Sequence, residues 1–261
     1  MKNKILMILS ITIFSFVLGK KVEANQGQVV LEEVYPVQEV LFVQGLEVDE
    51  QDQLWMGTGL YGQSQLGQVE LEEEQLKEVI ELEASDFGEG ITLVGEEIWQ
   101  LTWKEGKVFV WDKATYQLLT TYPLKREGWG LAYDPDRAIF WLSDGSDQLF
   151  QYSLDTFKEI KSVPVTLKGK SIAKLNELEY VGGAIYANIW YDNRIVKIDS
   201  HTGQVTQVFD LDPVLEGLQL EPDQRQQMDA LNGIAHIEDD LFYITGKNYP
   251  VIMKVRLQEP Q

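Results

Sequence analysis

The chain has 261 residues, 44% of them hydrophobic, enough to bury a sizeable core in one repeat domain. Its formal net charge of −20 would repel a phosphate backbone over most of the surface, which excludes nucleic acid as an expected partner. There is no cysteine, so disulfides, thiolate metal sites and cysteine nucleophiles are excluded as well.

Lys2 and Lys4 precede an apolar stretch over residues 5–18, and Val22-Glu23-Ala24 offers small residues for cleavage. Residues 1–24 therefore read as a secretory signal peptide, the stretch being short for a membrane span. An uncleaved N-terminal anchor is the alternative. The expected location is outside the cell or in its envelope or periplasm, with membrane contact only through an uncleaved leader. Residues 25–261 are expected to form a single domain, acting as a monomer. Residues 25 to about 40 link the leader to the first repeat and are expected to pair back onto the last part of the fold.

From there one pattern recurs five times: Gln44-Gly45-Leu46, Glu89-Gly90-Ile91, Trp129-Gly130-Leu131, Asn176-Glu177-Leu178 and Asn232-Gly233-Ile234. Each copy is followed by a second apolar run: Leu54-Trp55-Met56, Ile98-Trp99-Gln100, Ile139-Phe140-Trp141, Ile185-Tyr186-Ala187 and Leu241-Phe242-Tyr243. The copies lie roughly 40 to 56 residues apart, the period of one four-stranded propeller blade. The fold class expected is all-β, a five-bladed β-propeller. Further alternations broken by Asp, Thr and Gly turns mark outer hairpins, as at Phe109-Val110-Trp111-Asp112 and Ile195-Val196-Lys197-Ile198-Asp199. Residues 211–228 lengthen the interval before the fifth copy and are expected to be a loop or short helix over one face. Acidic runs at 70–74 and 78–83 read as solvated strand edges and loops.

A propeller brings the head of every repeat to one axis. Here the heads are Gln, Glu, Trp, Asn and Asn, which is not the composition of a packed core. Trp55, Trp99, Trp111 and Trp141 sit within strand runs and are expected in the core between blades. Trp103, Trp190 and Lys247 follow the second strands of their repeats and are expected to meet around one region.

These segments resemble the plant-type glutamine cyclotransferases. The resemblance is carried by Phe42-Val43-Gln44-Gly45-Leu46, Phe87-Gly88-Glu89-Gly90-Ile91-Thr92, Gln100-Leu101-Thr102-Trp103-Lys104 and Glu127-Gly128-Trp129-Gly130-Leu131. It continues in order through Leu175-Asn176-Glu177-Leu178-Glu179-Tyr180, Tyr186-Ala187-Asn188-Ile189-Trp190, Leu231-Asn232-Gly233-Ile234-Ala235 and Thr245-Gly246-Lys247. The resemblance implies a five-bladed propeller that converts the N-terminal glutamine of peptides to pyroglutamate with release of ammonia. It implies active-site positions at Phe42, Gln44, Glu89, Trp103, Trp129, Asn176, Trp190 and Lys247. Val43 and Asn248-Tyr249-Pro250 depart from the family pattern, and neither departure removes a reacting group.

The chemistry makes independent sense of these residue types. The substrate's own α-amine attacks its side-chain amide, so no enzymic nucleophile is needed and orientation supplies much of the rate. A carboxyl group between the two nitrogens can take one proton and return it to the other. Glu89 is the only carboxylate among the five heads, which makes it the expected proton shuttle. Lys247, Asn176 and Gln44 are candidate donors to the oxyanion, and Trp103, Trp129 and Trp190 a wall for the ammonium and the glutamine stem. The reaction calls for no cofactor and no metal ligand, although a structural divalent cation on the axis is compatible with the composition. Two other readings stay open. One is a calcium-dependent propeller lactonase or hydrolase using Glu89, Asn176, Asp229 and Asn232. The other is a non-enzymatic propeller that binds peptide termini.

Overall fold

A computed structural model describes residues 25–260; the leader read in residues 1–24 lies outside the described residues. The first strand, β1, covers Asn25–Pro36. Four antiparallel strands then form one sheet: β2 (Val43–Val48), β3 (Leu54–Thr58), β4 (Gln65–Glu70) and β5 (Gln75–Glu81). A second sheet contains β6 (Gly88–Val94), β7 (Glu97–Thr102), β8 (Lys107–Asp112) and β9 (Leu118–Pro123). A third contains β10 (Leu131–Asp134), β11 (Ile139–Leu142), β12 (Gln148–Ser153) and β13 (Glu159–Pro164). A small hairpin, β14 (Thr166–Leu167) with β15 (Lys170–Ser171), comes next; the sequence pattern does not announce it. It leads into β16 (Leu175–Val181), β17 (Ala184–Ile189), β18 (Asp192–Asp199) and β19 (Val205–Asp210). Two short helices, α1 (Asp212–Gly217) and α2 (Pro222–Gln227), occupy the expected insertion, and α2 starts at a Glu221/Gln224 capping box. The last strands are β20 (Leu231–Glu238), β21 (Leu241–Gly246) and β22 (Val251–Gln258).

The final two groups are not separate sheets. β1 pairs in parallel with β19 through Asn25, Gln26 and Gly27, then runs antiparallel to β22 from Gln28 to Pro36. One strand thus fuses β16–β19 and β20–β22 into an eight-stranded sheet and supplies the outer strand that the last group lacks. This is the pairing expected of the segment after the leader. It joins the start of the described chain to its end by backbone hydrogen bonds.

The first strands touch one another in a closed order, β2 to β6 to β10 to β16 to β20 and back to β2. Between each neighbouring pair of four-stranded groups lies an apolar cluster. Trp55, Leu66 and Ile80 pack with Ile91 and Ile98; Trp99 and Val110 pack with Phe140 and Phe157; Trp141 packs with Leu178 and Ile185. Ile195 and Phe209 pack with Phe242 and Met253, and Val43 and Met56 with Ala235 and Ile252. The fold is all-β and propeller-like. Trp55, Trp99 and Trp141 are buried as expected. Trp111 is a correction: it is half-buried at the edge of its cluster, with its indole N–H donating to Gln100 Oε1 at 3.2 Å.

The glycine after each of the first three heads is where the next first strand comes closest. A Cβ on Gly45 would lie 2.6 Å from Ile91 N, one on Gly90 2.6 Å from Trp129 O, and one on Gly130 2.1 Å from Asn176 O. These are backbone atoms that cannot rotate away, so only glycine allows the strands to crowd the axis.

Candidate active site

The repeat heads do not lie in regular ladder positions. Pairing of β2 with β3 shifts register between Val43 and Gly45, and that of β6 with β7 between Gly88 and Ile91. The same shift occurs between Leu175 and Leu178, and between Leu231 and Ile234. Gln44, Glu89, Asn176 and Asn232 therefore sit in β-bulges, which break the alternation of side chains and re-aim one of them. Trp129 lies just before β10, with its N–H donating to Ser143 O at 3.0 Å.

Three of the bulged heads and Trp129 line a cavity of about 240 Å³ together with Phe42, Leu60, Phe87, Trp103, Trp190, Tyr191, Asp229 and Lys247. All eight residues implied by the family resemblance are in this wall. Trp103, Trp190 and Lys247 follow the ends of β7, β17 and β21, which is how the ends of second strands bring them to one region. The fifth head does not join them. Asn232 is wholly buried and its amide donates to the carbonyls of Val43 at 3.2 Å and Gln44 at 3.1 Å, tying β20 to β2.

Glu89 is only 5% exposed, and Gln44 Nε2 donates to its Oε1 at 3.2 Å. Burial drives its carboxyl well above the ordinary carboxylate range; the charge of Lys247 pulls it down, while Glu105 and Glu127 push it up. Lys247, 6% exposed, is held below the usual lysine value by burial, against the opposing pull of Glu89 and Asp229. Its Nζ lies 4.9 Å from the centre of the Phe42 ring, and Phe42 and Lys247 are joined by an antiparallel bridge. Asn176 is buried, with its Oδ1 unpartnered and its backbone carbonyl accepting from Ser143 Oγ at 2.6 Å.

The aromatic wall falls into two groups of rings bridged by a carboxylate. Phe87 stands 5.4 Å from Trp103 and 6.2 Å from Phe42, and Trp129 meets Trp190 edge to face at 5.5 Å. One carboxylate oxygen, Glu127 Oε2, accepts from both Trp103 Nε1 at 2.9 Å and Trp129 Nε1 at 3.2 Å. Several positions in and beside the wall take left-handed backbone conformations, among them Leu60 (φ 82°), Tyr191 (φ 58°) and Asn248 (φ 58°). For residues with side chains this stores strain, as functional sites often do.

Phe87, Glu127, Leu60 and Tyr191 were not singled out as site residues by sequence reasoning, and Asp229 only as a metal ligand. Phe87 and Glu127 stand inside quoted motifs, two residues before the heads Glu89 and Trp129, so their position relative to a head was a usable signal. Tyr191 carried none, and Asp229 only its place among the candidate oxygen ligands. Of the four residues an oxygen-rich calcium site would draw on, Glu89, Asn176 and Asp229 face the cavity and Asn232 does not. Among the described residues no three His, Cys, Asp or Glu side chains are grouped to hold a metal ion. A second cavity, of about 160 Å³, is lined by aliphatic residues such as Val37, Leu41, Met56 and Ile252 together with Glu39, Glu70, Glu74, Gln38 and Gln75; no lysine, arginine or tryptophan lines it.

The comparisons agree with this geometry. The family model for glutamine cyclotransferase matches residues 6–257. A glutaminyl-peptide cyclotransferase of Arabidopsis thaliana is 33% identical over 239 residues, spanning 90% of this chain and 72% of the relative. The crystal structure of Myxococcus xanthus glutaminyl cyclase superposes with a TM-score of 0.80 at 32% identity, covering 92% of this chain and 100% of that one. With the ring of sheets, the bulged heads and the indole-walled carboxylate in one place, the chain belongs to the glutamine cyclotransferase family.

Proposed function

We propose that this protein is a five-bladed propeller that acts as a glutaminyl-peptide cyclotransferase, closing the N-terminal glutamine of peptides to pyroglutamate with release of ammonia. The observation that carries the reading is Glu89: a buried carboxyl among indoles, touched by Gln44 and facing Lys247, at the head of its repeat. The five blades are β2–β5, β6–β9, β10–β13, β16–β19, and β20–β22 completed by β1.

The bond that forms joins the substrate α-nitrogen to its side-chain amide carbon. The bond that breaks joins that carbon to the amide nitrogen. One proton must move from the first nitrogen to the second, and nothing is oxidised or reduced. Glu89, its carboxyl raised toward the working range by burial, takes that proton as base and returns it as acid. The negative charge on the former amide oxygen is met by Lys247 and by the amides of Asn176 and Gln44, already fixed in a site shielded from water. Trp103, Trp129, Trp190 and Phe42 fold the substrate back on itself and face its ammonium. Nucleophile and electrophile belong to one residue, so the cycle as drawn calls for no cofactor. A secreted or envelope location and a monomeric state complete the proposal.

The test is ammonia release and loss of primary amine from a glutamine-initiated dipeptide, with Glu89→Gln alongside. Turnover in the wild type with a loss of roughly a hundredfold or more in the variant is the expected result, the order of effect for removing a general acid–base. No turnover by folded wild-type protein, or near-normal turnover in the variant, overturns the reaction or the shuttle respectively. Activity abolished by chelator and restored by calcium would favour the lactonase reading instead.

A further inference from the structure

We propose that the mouth of the Glu89 cavity is a specificity subsite for a cationic side chain, lysine or arginine, on the residue that follows the N-terminal glutamine. This rests on the cyclotransferase reading and deepens it. The glutamine side chain is enclosed by the cavity floor, so the next residue of any peptide must emerge at the rim. There Asp229 and Tyr191 both line the cavity, and both are exposed, Tyr191 by 64%. The Tyr191 ring lies 4.8 Å from that of Trp190 and is presented by a left-handed backbone at φ 58°. Asp229 stands beside the phenol, close enough for its charge to push the Tyr191 hydroxyl above its usual pKa.

The arrangement repeats at another sector of the rim. Tyr61, 48% exposed, packs on Phe87 at 5.3 Å and donates to Glu105 Oε1 at 2.7 Å. An exposed ring with a carboxylate beside it offers a cation both a π-face and an ion pair. The positive groups of the rim do not cancel this. Lys104 lies over Trp103 and is 3.7 Å from Glu127, and Lys174 lies 5.9 Å from the Trp190 ring. Lys247, buried within the cavity, divides its attraction between Glu89 and Asp229 without reaching ion-pair distance of Asp229. Among the described residues no lysine or arginine is within ion-pair distance of Asp229 or Glu105. The net charge of −20 attracts cationic peptides to the protein as a whole.

The experiment compares kcat/KM for three tripeptides that begin with glutamine and carry lysine, alanine or glutamate second, at low ionic strength. The lysine peptide should exceed the glutamate peptide by on the order of tenfold, the effect of an exposed charge contact with a cation–π contact, and the ratio should shrink with salt. Asp229→Asn should lower that ratio and Asp229→Lys should bring it to one or below. Equal kcat/KM for the three peptides, or a ratio unmoved in Asp229→Lys, overturns the subsite while leaving the cyclotransferase reading standing. Turnover of none of them overturns that reading, and quenching of the tryptophan fluorescence by the same peptides then decides the subsite. Tighter binding of the lysine peptide supports it, and equal affinities overturn it.

Discussion

Gln44 Nε2 donates to Glu89 Oε1 across 3.2 Å, joining the bulge that opens β2 to the bulge that opens β6. The contact holds one carboxyl oxygen still and leaves the other for a substrate nitrogen. It also ties the catalytic proposal to the seam between two sheets, so that a change at either bulge is felt at the other.

Lys247 lowers the Glu89 pKa while burial raises it. Removing the cation in Lys247→Met should therefore move the acidic limb of the kcat/KM profile to higher pH, because the base form of Glu89 becomes harder to reach. The same variant loses an oxyanion donor, worth about 10²-fold or more in kcat. A pH–rate profile checks both. A limb that stays in place or moves to lower pH would separate Lys247 from Glu89.

Glu127 holds two indoles with one oxygen. Glu127→Ala leaves both N–H groups without that acceptor and should raise KM by roughly 30-fold, taking about 1 kcal/mol for each of the two lost hydrogen bonds. Glu127→Gln keeps an acceptor and should restore most of the affinity. Steady-state kinetics with near-UV circular dichroism of the tryptophans would check this; equal KM in the two variants would deny the positioning role.

Away from the cavity, Glu177 and Glu179 are buried, and Glu47 beside them is half-buried. Burial pushes Glu47 up to about 7 and the other two well above the ordinary range, where they also repel one another's charge. The folded state holds protons that the unfolded chain releases near pH 4.5. Stability from these groups is therefore fully present below that value and is lost as pH rises toward and through 7. The melting temperature should fall between about pH 5 and pH 8, and Glu177→Gln should flatten the fall. Its amide oxygen can still accept from Ile234 N, as the carboxyl oxygen does at 2.8 Å. A melting temperature that rises over that interval would contradict the sign.

Gly90→Ala would place a Cβ 2.6 Å from Trp129 O and 2.8 Å from Gly130 Cα. Both belong to backbone, so relief requires parting β6 from β10, at a cost of about 1–3 kcal/mol. The same movement displaces Glu89 and Trp129, so activity should fall along with stability. Thermal unfolding and turnover measured together would show whether the two losses coincide; an unchanged melting temperature would mean that the strands are not packed this closely.

What the amino-acid sequence determined by itself was periodic. Five heads followed by apolar runs specified repeated sheets, because a strand alternates its side chains and a four-stranded unit has a set length. The place of Lys247, Trp103 and Trp190 after second strands put them at one rim. The tertiary structure alone decided which heads serve the cavity. Gln44 and Asn232 look alike in the pattern, yet one amide reaches Glu89 and the other clamps β20 to β2, because the ring closes through that seam. It alone brought Asp229 to the mouth beside Tyr191, and set the half-buried Glu47 against the buried Glu177 and Glu179, where their charges interact. Asp229 and Tyr191 are 38 positions apart in the chain, and Glu47 and Glu179 are 132 apart. Periodicity within a repeat says nothing about such pairs; the closing of the ring sets their distance.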